Sequence, residues 1–122
     1  MSTLIIEKAK LKNLKDLIYL LFEDDLGKQR ENLSDKSINK YKKSFTKILN
    51  DSNNEIFIMI LNDQIIGMMQ LTFIPGLSME GMTRCQIESV RIKKEYRDKG
   101  YFHHYIYQVL LIFLKLMELA YF

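Results

Sequence analysis

The sequence predicts a mixed α/β (α+β) fold with the element order β-α-α-β-β-β-α. Three patterns predict it. Apolar residues recur at helical spacing in residues 14–21, 38–49 and 105–120, the signature of helices with one buried stripe. Between them lie strand-length apolar or alternating runs at 56–61, 65–73 and 83–93, separated by turn-forming residues. The 122 residues, 48% of them apolar and 27% charged, are enough to bury one modest core.

Leu4 to Ala9 reads as a first strand. Asn13 can cap the next helix, with Asp16 three residues on as a capping-box variant that satisfies free first-turn N–H groups. Leu14, Leu17, Ile18 and Leu21 form its apolar stripe. Ser34 is placed to cap a second helix, where Ile38, Tyr41, Phe45, Ile48 and Leu49 recur at helical spacing. Lys36, Lys40, Lys42, Lys43 and Lys47 fall mostly elsewhere and read as a solvated face rather than a binding patch. Ile56 to Leu61, the turn formers Asn62-Asp63 and Ile65 to Phe73 read as a hairpin whose first strand is buried on both faces.

Pro75 stands between that hairpin and a further strand, Thr83 to Lys93. Strict alternation there puts Arg84, Gln86, Glu88, Val90 and Ile92 on one face, and Cys85, Ile87, Ser89 and Arg91 on the other. Glu95 to Gly100 is a charged loop. From Phe102 onward, Tyr105, Val109, Phe113, Leu116 and Ala120 form a helical stripe of mostly large residues suited to packing on a sheet.

No repeat, linker or low-complexity tract divides the sequence, so residues 1–122 are expected to form one domain. The net charge of +3 is small and its lysines and arginines are dispersed. That argues against nucleic acid or an acidic membrane as partner and leaves an anionic ligand open. Cys85 is the only cysteine, which excludes an intrachain disulfide framework and favours a reducing compartment; with no nearby histidine it reads as a buried strand residue rather than a nucleophile. The N-terminus lacks a secretory pattern, so the expected location is cytoplasmic. Residues 101–122 approach the length of a membrane span, but His103, His104, Gln108, Lys115 and Glu118 interrupt them and a buried helix fits better. His103 and His104 are adjacent on that helix and point in different directions, so no shared metal is expected.

The chemistry lies where the last strand runs through a basic, glycine-containing loop into the last helix. A helix N-terminus offers unpaired N–H groups and the positive end of the macrodipole, which hold phosphate through the backbone. Arg97, Lys99 and His103 would add donors, and Gly100 would allow a close approach or a positive φ.

Gln86-Ile87-Glu88-Ser89-Val90-Arg91-Ile92 followed by Arg97-Asp98-Lys99-Gly100-Tyr101-Phe102 resembles motif A of the GNAT acetyltransferases, whose pattern is Arg or Gln, two variable residues, Gly, one variable residue, then Gly or Ala. Upstream, Asp51 to Glu55, Ile66-Gly67 and Gln70 to Ser78 are similar to a bacterial branch of small members. The resemblance implies a partial GNAT fold, a mostly antiparallel sheet with helices on both faces, lacking the C-terminal strands and helix. It implies acetyl-CoA as cosubstrate and transfer of acetyl to an amine of a small molecule or peptide. Cofactor contacts carried over are Val90, Arg91 and Ile92 for the pantetheine arm, and Arg97, Asp98, Lys99, Gly100, Tyr101, Phe102 and His103 for the pyrophosphate. Glu88 is the candidate general base, and residues 24–32 and 74–82 would shape the acceptor pocket. Two departures stand out. Phe102 occupies a position the pattern reserves for glycine or alanine, and the strand and helix expected after the last helix lie beyond residue 122; Tyr101, Tyr105 and Tyr107 do not match the family's tyrosine acid. An exposed strand edge would result, which a homodimer would cover. The alternative is an inactive relative acting as a self-associating or protein-binding module.

Overall fold

The computed structural model describes residues 4–23 and 25–120, without the side chains of 25 and 113–120. Strands β1 (Leu4–Lys8), β2 (Asn54–Leu61), β3 (Gln64–Pro75) and β4 (Thr83–Ile92) form one antiparallel sheet in the order β1-β2-β3-β4. Helices α1 (Leu14–Phe22), α2 (Asp25–Arg30) and α3 (Asp35–Leu49) lie between β1 and β2, and α5 (Tyr101–Ala120) follows β4. A four-residue segment, α4 (Ser78–Gly81), joins β3 to β4; Met79 and Glu80 have φ of 53° and 60°, so it is a left-handed turn rather than a continued helix.

The β2–β3 hairpin forms as the sequence predicts. Asn62 and Asp63 adopt φ of 50° and 66°, the paired left-handed conformations of a tight hairpin turn that these two residue types tolerate. Ser34 caps α3, its hydroxyl accepting the Ser37 N–H at 3.3 Å. Asn13 does not cap α1. The chain begins to turn earlier, in a 3-10 turn over Leu11–Asn13, and Asn13 Oδ1 accepts the Lys10 N–H at 2.8 Å instead. The sequence reading also missed α2, whose six residues are too few to display a periodic stripe.

Each sheet face carries its own core. On one, Phe57, Met59, Leu61, Met69, Leu71 and Ile92 pack with Tyr105 and Val109 of α5. On the other, Ile56, Ile58 and Met68 pack with Ala9, Leu17, Leu20 and Phe45. This explains the unbroken apolar run of β2: alternate residues enter different cores, each buried side chain stabilising the fold by roughly 1.5–3 kcal/mol. Tyr105 is fully buried, and its hydroxyl donates to the Phe57 carbonyl across the sheet. Burial pushes its phenol far above the ordinary value. The expected Phe113, Leu116 and Ala120 contacts lie outside the described side chains.

Cys85 corrects the sequence reading, because it is exposed. In β4, residues 83–88 are all exposed, since among the described residues this edge strand pairs with β3 alone. Partial desolvation pushes the Cys85 thiol up, away from a reactive thiolate. No helix among the described residues is long and apolar enough to cross a membrane.

Candidate cofactor cleft at the bulged edge of β4

β4 does not alternate strictly. Glu88 opposes Gln70 and Arg91 opposes Met68, leaving Ser89 and Val90 together opposite Met69. This is a β-bulge, and Ser89 takes φ of 53° to make it. The extra residue shifts the parity of everything beyond it. Val90 and Ile92 therefore join the core beneath α5, on the face that also carries Ile87, while Glu88 lies on the opposite face. The expected grouping of Glu88 with Val90 and Ile92 is thus wrong, and the cause is one left-handed residue.

The bulge also re-aims the backbone. Before it, the Met82 carbonyl accepts the Gly76 N–H at 3.2 Å and the Phe73 N–H turns to Asn53 at 2.8 Å; alternation then directs the peptide groups of Thr83, Cys85 and Ile87 outward. Beyond it, the Lys93 N–H donates to the Ile66 carbonyl at 2.7 Å, so Val90 and Ile92 face outward. Arginines of the same segment reach both carbonyls. Arg91 Nη1 donates to the Val90 carbonyl at 3.0 Å and Arg97 Nε to the Ile92 carbonyl at 2.9 Å.

Outside this edge lies a cavity of about 480 Å³, lined by Val90, Arg91, Ile92, Tyr96, Arg97, Asp98, Gly100, Phe102 and His103. Its floor is strand backbone and its end is the first turn of α5, whose leading amides have no intrahelical acceptor. Asp98 and Gly100 take φ of 61° and 82°, which bends the loop back to start the helix. A side chain at Gly100 would meet nothing within 4 Å, so glycine is required there by conformation and not by space. Arg91 and Arg97 supply cationic donors and His103 an imidazole, opposed by the Asp98 carboxylate.

Eight of the ten cofactor residues expected from the sequence line this cavity. Lys99 and Tyr101 do not. Lys99 Nζ sits 5.9 Å over the Tyr96 ring, and Tyr101 packs edge-on against Tyr96 with centroids 6.0 Å apart. Tyr96 itself is a lining residue the sequence reading missed; it precedes the motif by one position and carries no motif signal of its own. Phe102 lines the cavity without closing it. Its side chain is 45% exposed and rests edge-on against His103.

Glu88 does not line the cavity; it is an exposed residue immediately before the bulge, on the far face. A second cleft of about 540 Å³ lies beside α1 and α2, bounded by Tyr19, Glu23, Lys28, Lys93 and Lys94 among others. Of the two segments expected to shape an acceptor pocket, only the first contributes to it, through Lys28. Glu23 Oε1 ties this region to the strand exit by accepting the Lys94 N–H at 3.0 Å.

The family model described as acetyltransferase (GNAT) family matches residues 9–116. Among solved structures, a transcriptional regulator from Bacillus halodurans C-125 is 30% identical, over 88% of this chain and 72% of that one, with a TM-score of 0.81. A GNAT family acetyltransferase from Staphylococcus aureus matches at 22% identity over 95% and 81% of the two chains, TM-score 0.74. A predicted acetyltransferase from Clostridium acetobutylicum, solved with acetyl-CoA, matches at 16% identity over 88% and 71%, TM-score 0.67; these last two likenesses show the fold alone. No curated protein matches the sequence significantly. With its four-stranded antiparallel sheet, bulged fourth strand and a family match spanning most of its length, the chain belongs to the GNAT acetyltransferase family.

Proposed function

We propose that this chain binds acetyl-CoA along the outer edge of β4 and transfers the acetyl group to an amine of a small molecule or peptide. The observation that carries this reading is the outward backbone of Val90 and Ile92 over an open cavity that ends at the first turn of α5. A pantetheine arm carries amides that pair with outward strand groups as an added strand would, and a diphosphate suits the leading amides of α5 with Arg97 and His103 beside them. For such an arm to pair there, Arg91 and Arg97 must yield the two carbonyls they now occupy, and both guanidiniums then become available to phosphate.

In the transfer itself the amine nitrogen forms a bond to the acetyl carbon, the carbon–sulfur bond breaks, and the thiolate leaves to take up a proton. The ammonium must first lose its own proton. Glu88, adjacent to the bulge and open to solvent, is the proposed acceptor of that proton, acting through water because it lies outside the cavity lining. A second reading, an inactive family member that binds another protein, is favoured by Phe102 in the cavity wall, a large ring at a position where the motif carries glycine or alanine.

Calorimetric titration with acetyl-CoA separates the two. The transferase reading expects micromolar binding that tightens in Phe102→Ala, together with release of free thiol when a panel of amines is supplied. Absence of heat in both proteins would overturn it in favour of the binding module.

A further inference from the structure

We infer that Glu23 is a positioning residue for the anion-binding loop: its carboxylate, delivered from the end of α1, holds the start of the loop that receives the diphosphate of acetyl-CoA. This role rests on the proposed binding of acetyl-CoA along β4. The loop begins with a 3-10 turn over Lys94–Tyr96, whose leading amide needs an acceptor from outside the turn. Lys93, the residue in front of it, supplies no side-chain cap. Glu23, 71 residues earlier, does so instead, its Oε1 accepting the Lys94 N–H at 3.0 Å.

Helix α1 itself gains nothing from an acid at this place. Glu23 closes the helix at the negative end of its macrodipole, where a carboxylate is disfavoured, and its own backbone N–H is already bound to the Tyr19 carbonyl at 3.0 Å. Leu17, Ile18 and Leu20 are buried and fix α1 in the fold, so the carboxylate is presented from a rigid support. The loop has little packing of its own. From Lys94 to Gly100 every residue except the half-buried Tyr96 is exposed, so hydrogen bonds rather than burial give it shape. The Lys93 N–H reaches the Ile66 carbonyl at 2.7 Å and Arg97 Nε holds the Ile92 carbonyl at 2.9 Å. The Tyr96 hydroxyl reaches Gln64 Oε1 at 3.4 Å, longer than a good hydroxyl bond.

Cofactor binding dissolves the Arg97 tie, since a pantetheine arm that pairs with Ile92 displaces the guanidinium. The Glu23 bond then carries more of the loop's order in the bound state than in the free one, so its loss shows in affinity more than in stability. The geometry asks for an oxygen at this reach rather than for a charge, and the side-chain oxygen of glutamine meets that need. The effect is confined to one end of the cofactor. Tyr96, Arg97 and Asp98 follow Lys94 and line the cavity toward the first turn of α5, whereas Ile92 is held in the ladder with β3 without help from Glu23.

The test compares the full chain with Glu23→Ala and Glu23→Gln. Amide hydrogen exchange without ligand, read residue by residue by NMR, should quicken roughly tenfold at Lys94 in Glu23→Ala, with the amides of β2 and β3 unchanged, and stay near the wild-type rate in Glu23→Gln. Calorimetric titration should show the Kd for acetyl-CoA rising roughly tenfold in Glu23→Ala and by less than about threefold in Glu23→Gln. S-acetylpantetheine, which lacks the diphosphate, should bind all three proteins alike when followed by the chemical shifts of Val90 and Ile92. Wild type that binds no acetyl-CoA overturns the cofactor reading and this role with it, whatever the exchange rates. Wild type that binds acetyl-CoA, with Glu23→Ala matching it in exchange or in affinity, overturns the role of Glu23 alone. Equal losses for acetyl-CoA and S-acetylpantetheine also overturn it, since they mark Glu23 as general support of the fold, and so does a Glu23→Gln protein as impaired as Glu23→Ala.

Discussion

Gly67 of β3 stands opposite Ile92 of β4, and replacing it by alanine tests how the cleft is held in place. A Cβ built there lies 2.9 Å from Ile92 Cδ1, 3.1 Å from the Arg91 carbonyl oxygen and 3.4 Å from Met59 Cβ. Carbon–carbon contacts are optimal near 3.5–4.0 Å, so the Ile92 methyl must retreat by about 0.6 Å or more. Ile92 and Met59 are both buried, at 7% and 0% exposure, and leave it little room. The carbonyl is backbone, held opposite Met68 in the ladder, and gives way only if β4 moves outward. Overpacking of this kind costs about 1–3 kcal/mol, offset by about 0.4–1 kcal/mol from the stiffer unfolded chain. The net loss of about 1–2 kcal/mol lowers Tm by roughly 4–8 °C in a chain of this size. Because the displaced atoms belong to Arg91 and Ile92, affinity for acetyl-CoA should fall with stability.

Differential scanning calorimetry with a double-mutant cycle isolates the steric part. Ile92→Val removes the methyl in question and alone costs about 0.5–1.5 kcal/mol. Combined with Gly67→Ala it should recover at least about 0.5 kcal/mol relative to additivity. Strictly additive losses, or a Tm that does not fall in Gly67→Ala, would refute the close-approach argument.

Three other outcomes follow from Tyr105 and Tyr41, the bulge and the α3 cap. Burial keeps Tyr105 protonated after the unfolded phenol begins to ionise, so the unfolded state binds fewer protons and stability should decline as pH rises above about 10. Tyr41, raised by desolvation and by its hydrogen bond to Glu31, acts in the same direction; urea titrations across alkaline pH should show a shallower decline in Tyr105→Phe, together with about 0.5–1.5 kcal/mol lost at neutral pH with the bond to Phe57. Ser89→Val should destabilise by about 1–2 kcal/mol, because a β-branched residue resists the left-handed conformation, whereas Ser89→Gly should be neutral or stabilising; equal midpoints for the two would argue against the bulge. Ser34→Ala should cost about 0.5–1 kcal/mol in thermal unfolding through loss of the α3 cap, and an unchanged midpoint would show that the 3.3 Å contact contributes nothing.

Periodicity made the main elements legible. Leu17, Ile18 and Phe45 are buried on their helices as the apolar stripes require, and the Asn62-Asp63 turn lies where two apolar runs meet. The cleft was legible to a similar degree: the strand, loop and helix start that hold phosphate elsewhere are contiguous in sequence, and eight of ten expected residues line one cavity. Tyr96 was not, because a tyrosine in a charged loop has no spacing to betray it. Nor was α2, a helix shorter than two turns.

What the sequence determined by itself is local: which segments bury one face, where the chain turns, and where a helix N-terminus meets basic residues. These depend on neighbours within a few positions. What only the tertiary structure decided is pairing. Whether Ser89 continues the strand or bulges cannot be read from Glu88-Ser89-Val90, since serine fits either conformation; the register of β3 against β4 forces the choice, by requiring Gln70 opposite Glu88 and Met68 opposite Arg91. From that one positive φ follow the separation of Glu88 from Val90 and Ile92 and the outward carbonyls over the cavity. A strand's side-chain period is two, so a single added residue reverses every face beyond it, and such a residue shows only when its partner strand is in place.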